Sequence, residues 1–126
     1  MDHKPEDVPI RVEKPWGYEI WWAWTDRYVG KILHVNAGER LSVQYHEHKD
    51  ECNYLLKGRA KLLKGTSAED LTETEIGEGH QWRNQPFEVH TIEAIDDIDV
   101  LEASTPEIED VVRLEDSYGR KGDSTG

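Results

Sequence analysis

Short runs of aromatic and β-branched residues, interrupted by turn residues, make up most of the chain. The runs with strand length are YEIWWAW, YVGKILHV, RLSVQYH, CNYLL, RAKLLK, EVHTIEAI and DVLEAS. Gly58-Arg59 predicts a tight hairpin, and GTSAED (residues 65–70) predicts a longer turn. No segment keeps a helical period over the roughly 11 residues that an amphipathic helix requires. Strands about 8 to 12 residues apart without helical crossovers predict an all-β antiparallel sandwich or barrel.

The pattern divides the chain into one domain and two tails. At 126 residues there is room for one ordinary domain, which we place at residues 14–120. Residues 1–13 are polar, contain two prolines and lack periodicity. They indicate an N-terminal arm that either packs on a neighbour or is disordered. Residues 121–126 are expected to form a disordered tail.

Composition and charge narrow the range of partners. Acidic residues outnumber Lys and Arg by 27 to 15, for a net charge of −12; this disfavours nucleic acid and anionic membranes, whose phosphates require cationic partners. No apolar run approaches the roughly 20 residues of a membrane span, and the single Cys cannot form an intrachain disulfide. We expect a cytoplasmic protein without membrane or nucleic-acid partners. Because the chain is small and aromatic, we also expect a homodimer in which residues 18–35 or the arm contact the partner.

The stretch SVQYHEHKDEC (residues 42–52) is dense in side chains that bind metals. If residues 40–48 form a strand, its side chains alternate between two faces. After a hairpin Glu51 could return beside the polar face, and His90 could approach from another strand. Imidazole, amide and carboxylate groups suit one divalent transition ion, Zn²⁺, Mn²⁺, Fe²⁺, Ni²⁺ or Co²⁺, without selecting among them. A histidine pair on a strand is also typical of a solvated polar face. The side chains on this face are Ser42, Gln44, His46 and His48.

Spacing within this stretch resembles the first sequence signature of the cupin superfamily. From Gly38 to Gly58 the chain reads G-x5-Q-x-H-x4-E-x6-G, which fits every interval if Gln44 stands where the first His is common. The alternative pair, His46 and His48, fails at both flanking intervals. A second signature is similar to GEGHQWRNQPFEVHTIEA, which supplies one further His. The resemblance implies a double-stranded β-helix, a jelly-roll-like barrel, with His48 at its mouth. The metal ligands that it implies are Gln44, His46, Glu51 and His90.

Further segments resemble the C-terminal isomerase domain of type II phosphomannose isomerase/mannose-1-phosphate guanylyltransferase. They are KPWG, GERLSVQYHEHKDE and STPEIEDVVRLEDSYGR. The resemblance implies that Lys14, Arg113 and Arg120 bind substrate. It also implies catalytic roles for Glu51 and Arg120, while Lys14 and Cys52 replace an Arg and a His of the family. Guanidinium groups suit bidentate phosphate binding, although ion pairs with neighbouring acids would also explain both arginines. A chain of this length does not hold the family's nucleotidyltransferase domain, so guanylyl transfer is not expected.

The leading interpretation is a metal-binding cupin that isomerises a sugar or sugar phosphate from aldose to ketose, as mannose-6-phosphate isomerase does. The ion would polarise the carbonyl and its neighbouring hydroxyl, with Glu51 and His48 as candidate bases. Tyr54 and Trp82 are candidate sugar-stacking residues that would fit equally well in the core. Lys14 and Cys52, which replace an Arg and a His of the family, favour a noncatalytic sugar-binding or regulatory cupin as the alternative. An iron-dependent dioxygenase is a further alternative, because such a ligand set with an open position can activate O₂.

Overall fold

The computed structural model describes residues 3–118 and confirms the all-β prediction. The helical content of these residues is one short 3₁₀ turn at Pro5–Asp7, and none of them forms a helix long and apolar enough to cross a membrane. The strands are β1 (Ile10–Lys14), β2 (Gly17–Trp24), β3 (Val29–Val35), β4 (Val43–Tyr45), β5 (Glu51–Lys57), β6 (Ala60–Gly65), β7 (Leu71–Ile76), β8 (Gln81–Asn84), β9 (Val89–Ala94), β10 (Ile98–Ser104) and β11 (Val112–Glu115).

Two antiparallel sheets enclose a common interior. Sheet 1 has the strand order β1-β2-β3-β10-β5-β8, and sheet 2 has the order β11-β4-β9-β6-β7. Leu33 and Leu55 of sheet 1 belong to the same buried cluster as Leu62 and Ile92 of sheet 2. The inner faces of the two sheets therefore pack against each other, as in a jelly-roll barrel.

The interior has an apolar end and a polar end, and single strands contribute to both. On β5, Leu55 belongs to the apolar cluster, whereas Glu51 lies two inward positions earlier. On β9, Ile92 belongs to that cluster, and His90 is the inward residue before it. The apolar end is defined by Trp16, Leu33, Val35, Leu55, Leu62, Ile92 and Ile98, and the polar end by Gln44, His46, Lys49, Glu51, His90 and Glu102.

The predicted hairpin at Gly58-Arg59 is wrong. The strands on its two sides, β5 and β6, belong to different sheets, so this turn carries the chain across the barrel. Gly58 has a φ of +86°, and a Cβ there would lie 2.5 Å from the carbonyl oxygen of Asp97, so the crossing requires glycine. The hairpin expected between His46 and Glu51 is likewise a crossing, from β4 in sheet 2 to β5 in sheet 1. The longer turn at residues 65–70 is confirmed, because it joins the paired strands β6 and β7.

Strand β1 lies within the segment interpreted as an irregular arm. Ile10 to Lys14 pair with β2 in full antiparallel register, and Ile10 is buried. The sequence pattern also did not predict β7, β8 and β11. The tail at residues 121–126 lies outside the described residues.

Candidate metal centre

Strand register brings three elements together at the polar end. Gln44 of β4 pairs directly with His90 of β9 on one side and with Arg113 of β11 on the other. Direct partners in an antiparallel ladder point to the same face of the sheet. All three residues are at least 95% buried, which is consistent with an inward direction. Glu51, the first residue of β5, approaches from the opposite sheet.

His46, Glu51 and His90 form a compact buried cluster. Their ligand atoms all lie within 4.8 Å of one another. The Nδ1 atoms of His46 and His90 face the carbonyl oxygens of Asp110 and Glu88, at 2.5 Å and 2.9 Å. A carbonyl only accepts hydrogen bonds, so each Nδ1 carries the proton, and in the neutral rings each Nε2 presents a lone pair.

These lone pairs have no protein donor among the described residues. His46 Nε2 lies 3.1 Å from Glu51 Oε1 without a well-aligned hydrogen bond, and His90 Nε2 is buried without a partner. Buried polar atoms are ordinarily satisfied, so two unpartnered imidazole nitrogens facing one carboxylate are best explained as ligands for a cation. Two imidazoles and a carboxylate suit a divalent transition ion and do not identify it. The cluster can therefore hold a metal ion.

Charged and amide groups keep the Glu51 carboxylate ionised. Lys49 Nζ lies 3.6 Å from Glu51 Oε1, while Asn53 Nδ2 and Asn84 Nδ2 donate to Oε2 at 3.0 Å and 3.2 Å. Burial alone would raise the pKa of Glu51, but Lys49 and the two histidines hold it well below its ordinary value. Burial lowers the pKa of His90 to about 4, so this imidazole is neutral near pH 7. Both states suit metal ligands.

A second group of buried charges lies beside the cluster. Lys49 Nζ is also 3.4 Å from Glu102 Oε2, so one ammonium bridges two carboxylates. Further along, Lys31 Nζ lies 3.6 Å from Glu19 Oε1, which accepts a hydrogen bond from Trp21 Nε1 at 2.8 Å. Sequence analysis missed these charges, although they occupy inward positions of their strands. The alternation of inward and outward residues along each strand could have revealed them, because Glu19, Lys31 and Glu102 share a face with apolar residues.

Asp110 organises the loop between β4 and β5, and sequence analysis also missed this residue. Its carboxylate accepts hydrogen bonds from the backbone N–H groups of Glu47, His48 and Lys49, at 3.0, 2.6 and 2.8 Å. Its carbonyl accepts from His46 Nδ1. One residue therefore fixes both the loop and the ring orientation of His46.

The remaining predicted site residues lie in different places. Trp82 is buried and lines the same cavity as Gln44, and the Gln44 amide oxygen accepts a hydrogen bond from Ser42 Oγ at 2.8 Å. His48 is exposed on the loop. Lys14 is half-buried at the end of β1, close enough to Glu19 to help lower the pKa of that carboxyl against the effect of burial. Arg120 lies outside the described residues.

Tyr54 does not line the barrel. It alternates with the inward residues Asn53 and Leu55, and its side chain is 43% exposed on the outer face of sheet 1. Cys52 shares that outer parity and is exposed. The strand parity of β5 therefore separates both residues from the metal cluster.

The cavity beside the cluster is small. Its volume is about 30 Å³, and its lining includes Gln44, Glu51, Trp82, Asn84, His90 and Glu102. A cavity of this size holds one or two water-sized groups, whereas pockets for drug-sized ligands measure roughly 300 Å³ or more. In this conformation the cavity beside the cluster is therefore too small to hold a hexose.

The fold and the site define the class. Two antiparallel sheets with a buried His–Glu–His cluster between them form a cupin barrel, and solved cupin structures superpose on it. Oxalate decarboxylase from Bacillus subtilis, solved at pH 4.6, matches with a TM-score of 0.71 and 17% identity over 89% of this chain and 31% of that one. KdgF from Halomonas sp. matches with a TM-score of 0.65 and 17% identity over 83% of this chain and 87% of that one. At such identities the likeness shows the fold alone.

The chain belongs to the family described as "Mannose-6-phosphate isomerase C-terminal", whose sequence model matches residues 2–116. A similar curated protein is the mannose-1-phosphate guanylyltransferase of Escherichia coli strain K12, 36% identical over 118 residues. That match covers 90% of this chain and 24% of the relative. The chain thus spans about a quarter of the length of the curated relatives it matches.

Proposed function

We propose that this protein is a metal-dependent isomerase that interconverts an aldose phosphate and a ketose phosphate, with mannose 6-phosphate and fructose 6-phosphate as the pair to test first. The observation that carries the proposal is the convergence of two unpartnered imidazole nitrogens on Glu51, in a chain of the mannose-6-phosphate isomerase C-terminal family. Gln44, His46, Glu51 and His90 would hold the ion. When bound, the ion supplies polarisation of the substrate carbonyl and the adjacent hydroxyl.

The roles of this chain's own residues follow from their surroundings. The low pKa of Glu51 and its contacts with Lys49 and two amides favour a ligand over a proton acceptor. His48, exposed on the loop two residues after His46, is the candidate to move the proton. Arg113, buried beside Gln44 in the strand ladder, and Arg120 would bind the phosphate. Lys14 pairs with Gly17, which pairs with Val35 of the apolar end, so this lysine has no part in the proposal.

The test loads purified protein with Zn²⁺, Mn²⁺, Co²⁺, Ni²⁺ or Fe²⁺ and follows the interconversion of the two sugar phosphates. We expect turnover with at least one ion. His90→Ala should lose bound metal and turnover together, because it removes one of three converging ligands. His34→Ala is the matched control, since His34 pairs with Asp99 away from the cluster and its loss should change neither quantity. Full metal occupancy without interconversion under any ion would contradict the proposal.

A noncatalytic sugar-binding cupin is the second candidate. The cavity of about 30 Å³ favours it, because a hexose phosphate cannot enter it without rearrangement. Saturable binding of mannose 6-phosphate to the metal-loaded protein, with no product formed over hours, would favour this candidate over the isomerase.

We also propose a cytoplasmic homodimer formed through the outer face of sheet 1. Trp22 and Tyr28 are 50% and 56% exposed and line one surface depression with Cys52 of the outer face, and exposed aromatic clusters are typical of interfaces. Trp22→Glu should convert the dimer to a monomer in light scattering, while Phe87→Glu, in the turn between β8 and β9, should leave the dimer intact. A wild-type monomer at micromolar concentration would contradict this proposal.

A further inference from the structure

A second groove lies on the outer face of sheet 2, separate from the metal cluster. Its volume is about 530 Å³, within the roughly 300–1,000 Å³ range of small-molecule sites. Tyr45 and Val89 contribute to it, and they adjoin Gln44 and His90 in sequence. Successive residues of a strand point to opposite faces, so the groove and the metal cluster occupy opposite sides of β4 and β9. We call it the outer groove.

An aromatic pair forms one wall of the outer groove. The rings of Tyr45 and Phe87 stack with centroids 6.0 Å apart and an angle of 28° between their planes. Phe87 is 62% exposed and has a φ of +68°, a conformation that is an outlier for a bulky residue. Its backbone N–H donates to the carbonyl oxygen of His46 at 2.7 Å, which holds the turn in place. The structure thus presents an aromatic ring to solvent from a held turn, at a cost in backbone strain.

The rim of the outer groove is polar and carries no cation. Thr66 and Ser67 offer hydroxyl groups, and Glu69 and Glu115 offer carboxylates. None of the described residues that line the groove is Lys or Arg. The nearby Lys64 is already engaged by the Glu88 carboxylate at 3.3 Å and by the carbonyl oxygen of Arg83. Hydroxyl and carboxylate groups bind sugar hydroxyls, whereas the two acids would repel a phosphate.

We propose that the outer groove binds a neutral pyranose. The apolar C–H face of the sugar packs on the rings of Phe87 and Tyr45, and its hydroxyls bond to Thr66, Ser67 and Glu69. This chemistry selects a neutral sugar over its phosphate ester. The inference goes beyond the proposed isomerase, because the outer groove contains none of the metal-binding side chains and does not depend on a bound ion.

The test titrates the full, ¹⁵N-labelled chain with methyl α-D-mannopyranoside, methyl β-D-glucopyranoside and mannose 6-phosphate, and follows backbone amide shifts. We expect saturable shifts at Thr66, Ser67 and Phe87 with at least one neutral glycoside, with a Kd of about 1–10 mM. The same shifts should occur in the His90→Ala protein without metal. Sugar binding in the outer groove can therefore be judged whether or not the metal-dependent isomerase reaction is found.

Phe87→Gly is the decisive variant, because glycine adopts a φ of +68° without strain and therefore removes the ring without endangering the turn. It should weaken binding at least about tenfold, whereas Phe87→Tyr should retain it. His80→Ala, which removes an exposed ring just before β8 in the other sheet, is the matched control and should bind normally.

Three outcomes would overturn the proposal. The first is the absence of saturable shifts in the outer groove with both neutral glycosides. The second is unchanged binding by Phe87→Gly, which would show that the ring is not used. The third is equal or tighter binding of mannose 6-phosphate at these amides, which would contradict the selection against phosphate.

Discussion

The apolar and polar ends of the barrel interior lie on the same strands but differ in chemistry. On β5, the inward residues run from Glu51 through Asn53 to Leu55, and on β10 from Val100 to Glu102 and Ser104. Leu55 is fully buried among apolar neighbours. The charges at the other end are almost equally buried, so the two ends differ in the kind of side chain and not in its access to solvent.

The difference indicates which end stabilises the fold and which end serves a function. Burial of apolar side chains at the apolar end contributes about 25 cal/mol per Å². At the polar end, transferring Lys49, Glu51 and Glu102 out of water costs more than their contacts return, unless the whole set stays paired. The three charges are paired with one another and contribute little net stability, which is consistent with their retention for a site.

The largest effect is expected from Lys49→Met in the metal-free protein. Lys49 contacts both buried carboxylates, at 3.6 Å and 3.4 Å, so its loss leaves Glu51 and Glu102 without the cation that bridges them. The free energy of unfolding should fall by about 3–5 kcal/mol. Urea denaturation followed by tryptophan fluorescence measures it. Lys57→Met, at the exposed end of β5, should change this free energy by less than about 0.5 kcal/mol.

Leu55→Ala is the counterpart at the apolar end and separates packing from charge. It should cost about 3 kcal/mol through lost burial and a residual cavity. Adding Glu102→Gln to Lys49→Met should restore part of the lost stability, because one unpaired charge disappears. Adding Glu102→Gln to Leu55→Ala should give an additive result. If the interaction energy of Glu102→Gln with Lys49→Met equals that with Leu55→Ala, the polar end is held by packing and not by its charges.

The sequence predicted the central strands of both sheets and none of the edges. The four strands that pattern analysis missed, β1, β7, β8 and β11, are the outermost strands of sheets 1 and 2. Edge strands bury less and pair on one side only, so their sequences need little apolar periodicity. In β7, LTETEI, a single residue is buried, and in β8, QWRN, Trp82 is the only apolar residue. Hydrophobic pattern alone therefore could not reveal β7 and β8, whereas β1 (IRVEK) and β11 (VRLE) do alternate apolar and polar residues.

The polar end was predictable only where spacing encodes it. The resemblance to the cupin signature between Gly38 and Gly58 predicted Gln44, His46 and Glu51 as one set, and strand parity put Gln44 and His46 on one face. The supporting residues gave no such signal, because they meet only in the folded chain: Asp110 binds the N–H of His48 across 62 residues. Charged residues such as Glu102 are ordinarily assigned to the surface, so composition argued against placing them inside.

The smallest expected effect is on the pH dependence of stability, which tests the polar end of the metal-free protein with all its side chains present. Burial lowers the pKa of His90 from 6.5 to about 4, so between these pH values the unfolded chain binds a proton that the folded protein does not. Stability of the metal-free protein should therefore fall as the pH drops through this window. The loss attributable to His90 is about 2 kcal/mol between roughly pH 7 and pH 5.

His90→Gln isolates this contribution, because glutamine keeps the polarity of the site and cannot titrate. Burial and the nearby Glu51 carboxylate raise the pKa of Glu102, which changes stability with pH in the opposite sense, so the informative quantity is the difference between the two proteins. The wild-type free energy of unfolding should decline more steeply than that of the variant as pH falls. Parallel curves would show that the His90 imidazole takes up a proton as readily in the folded barrel as in the unfolded chain, and the polar end would then be open to water.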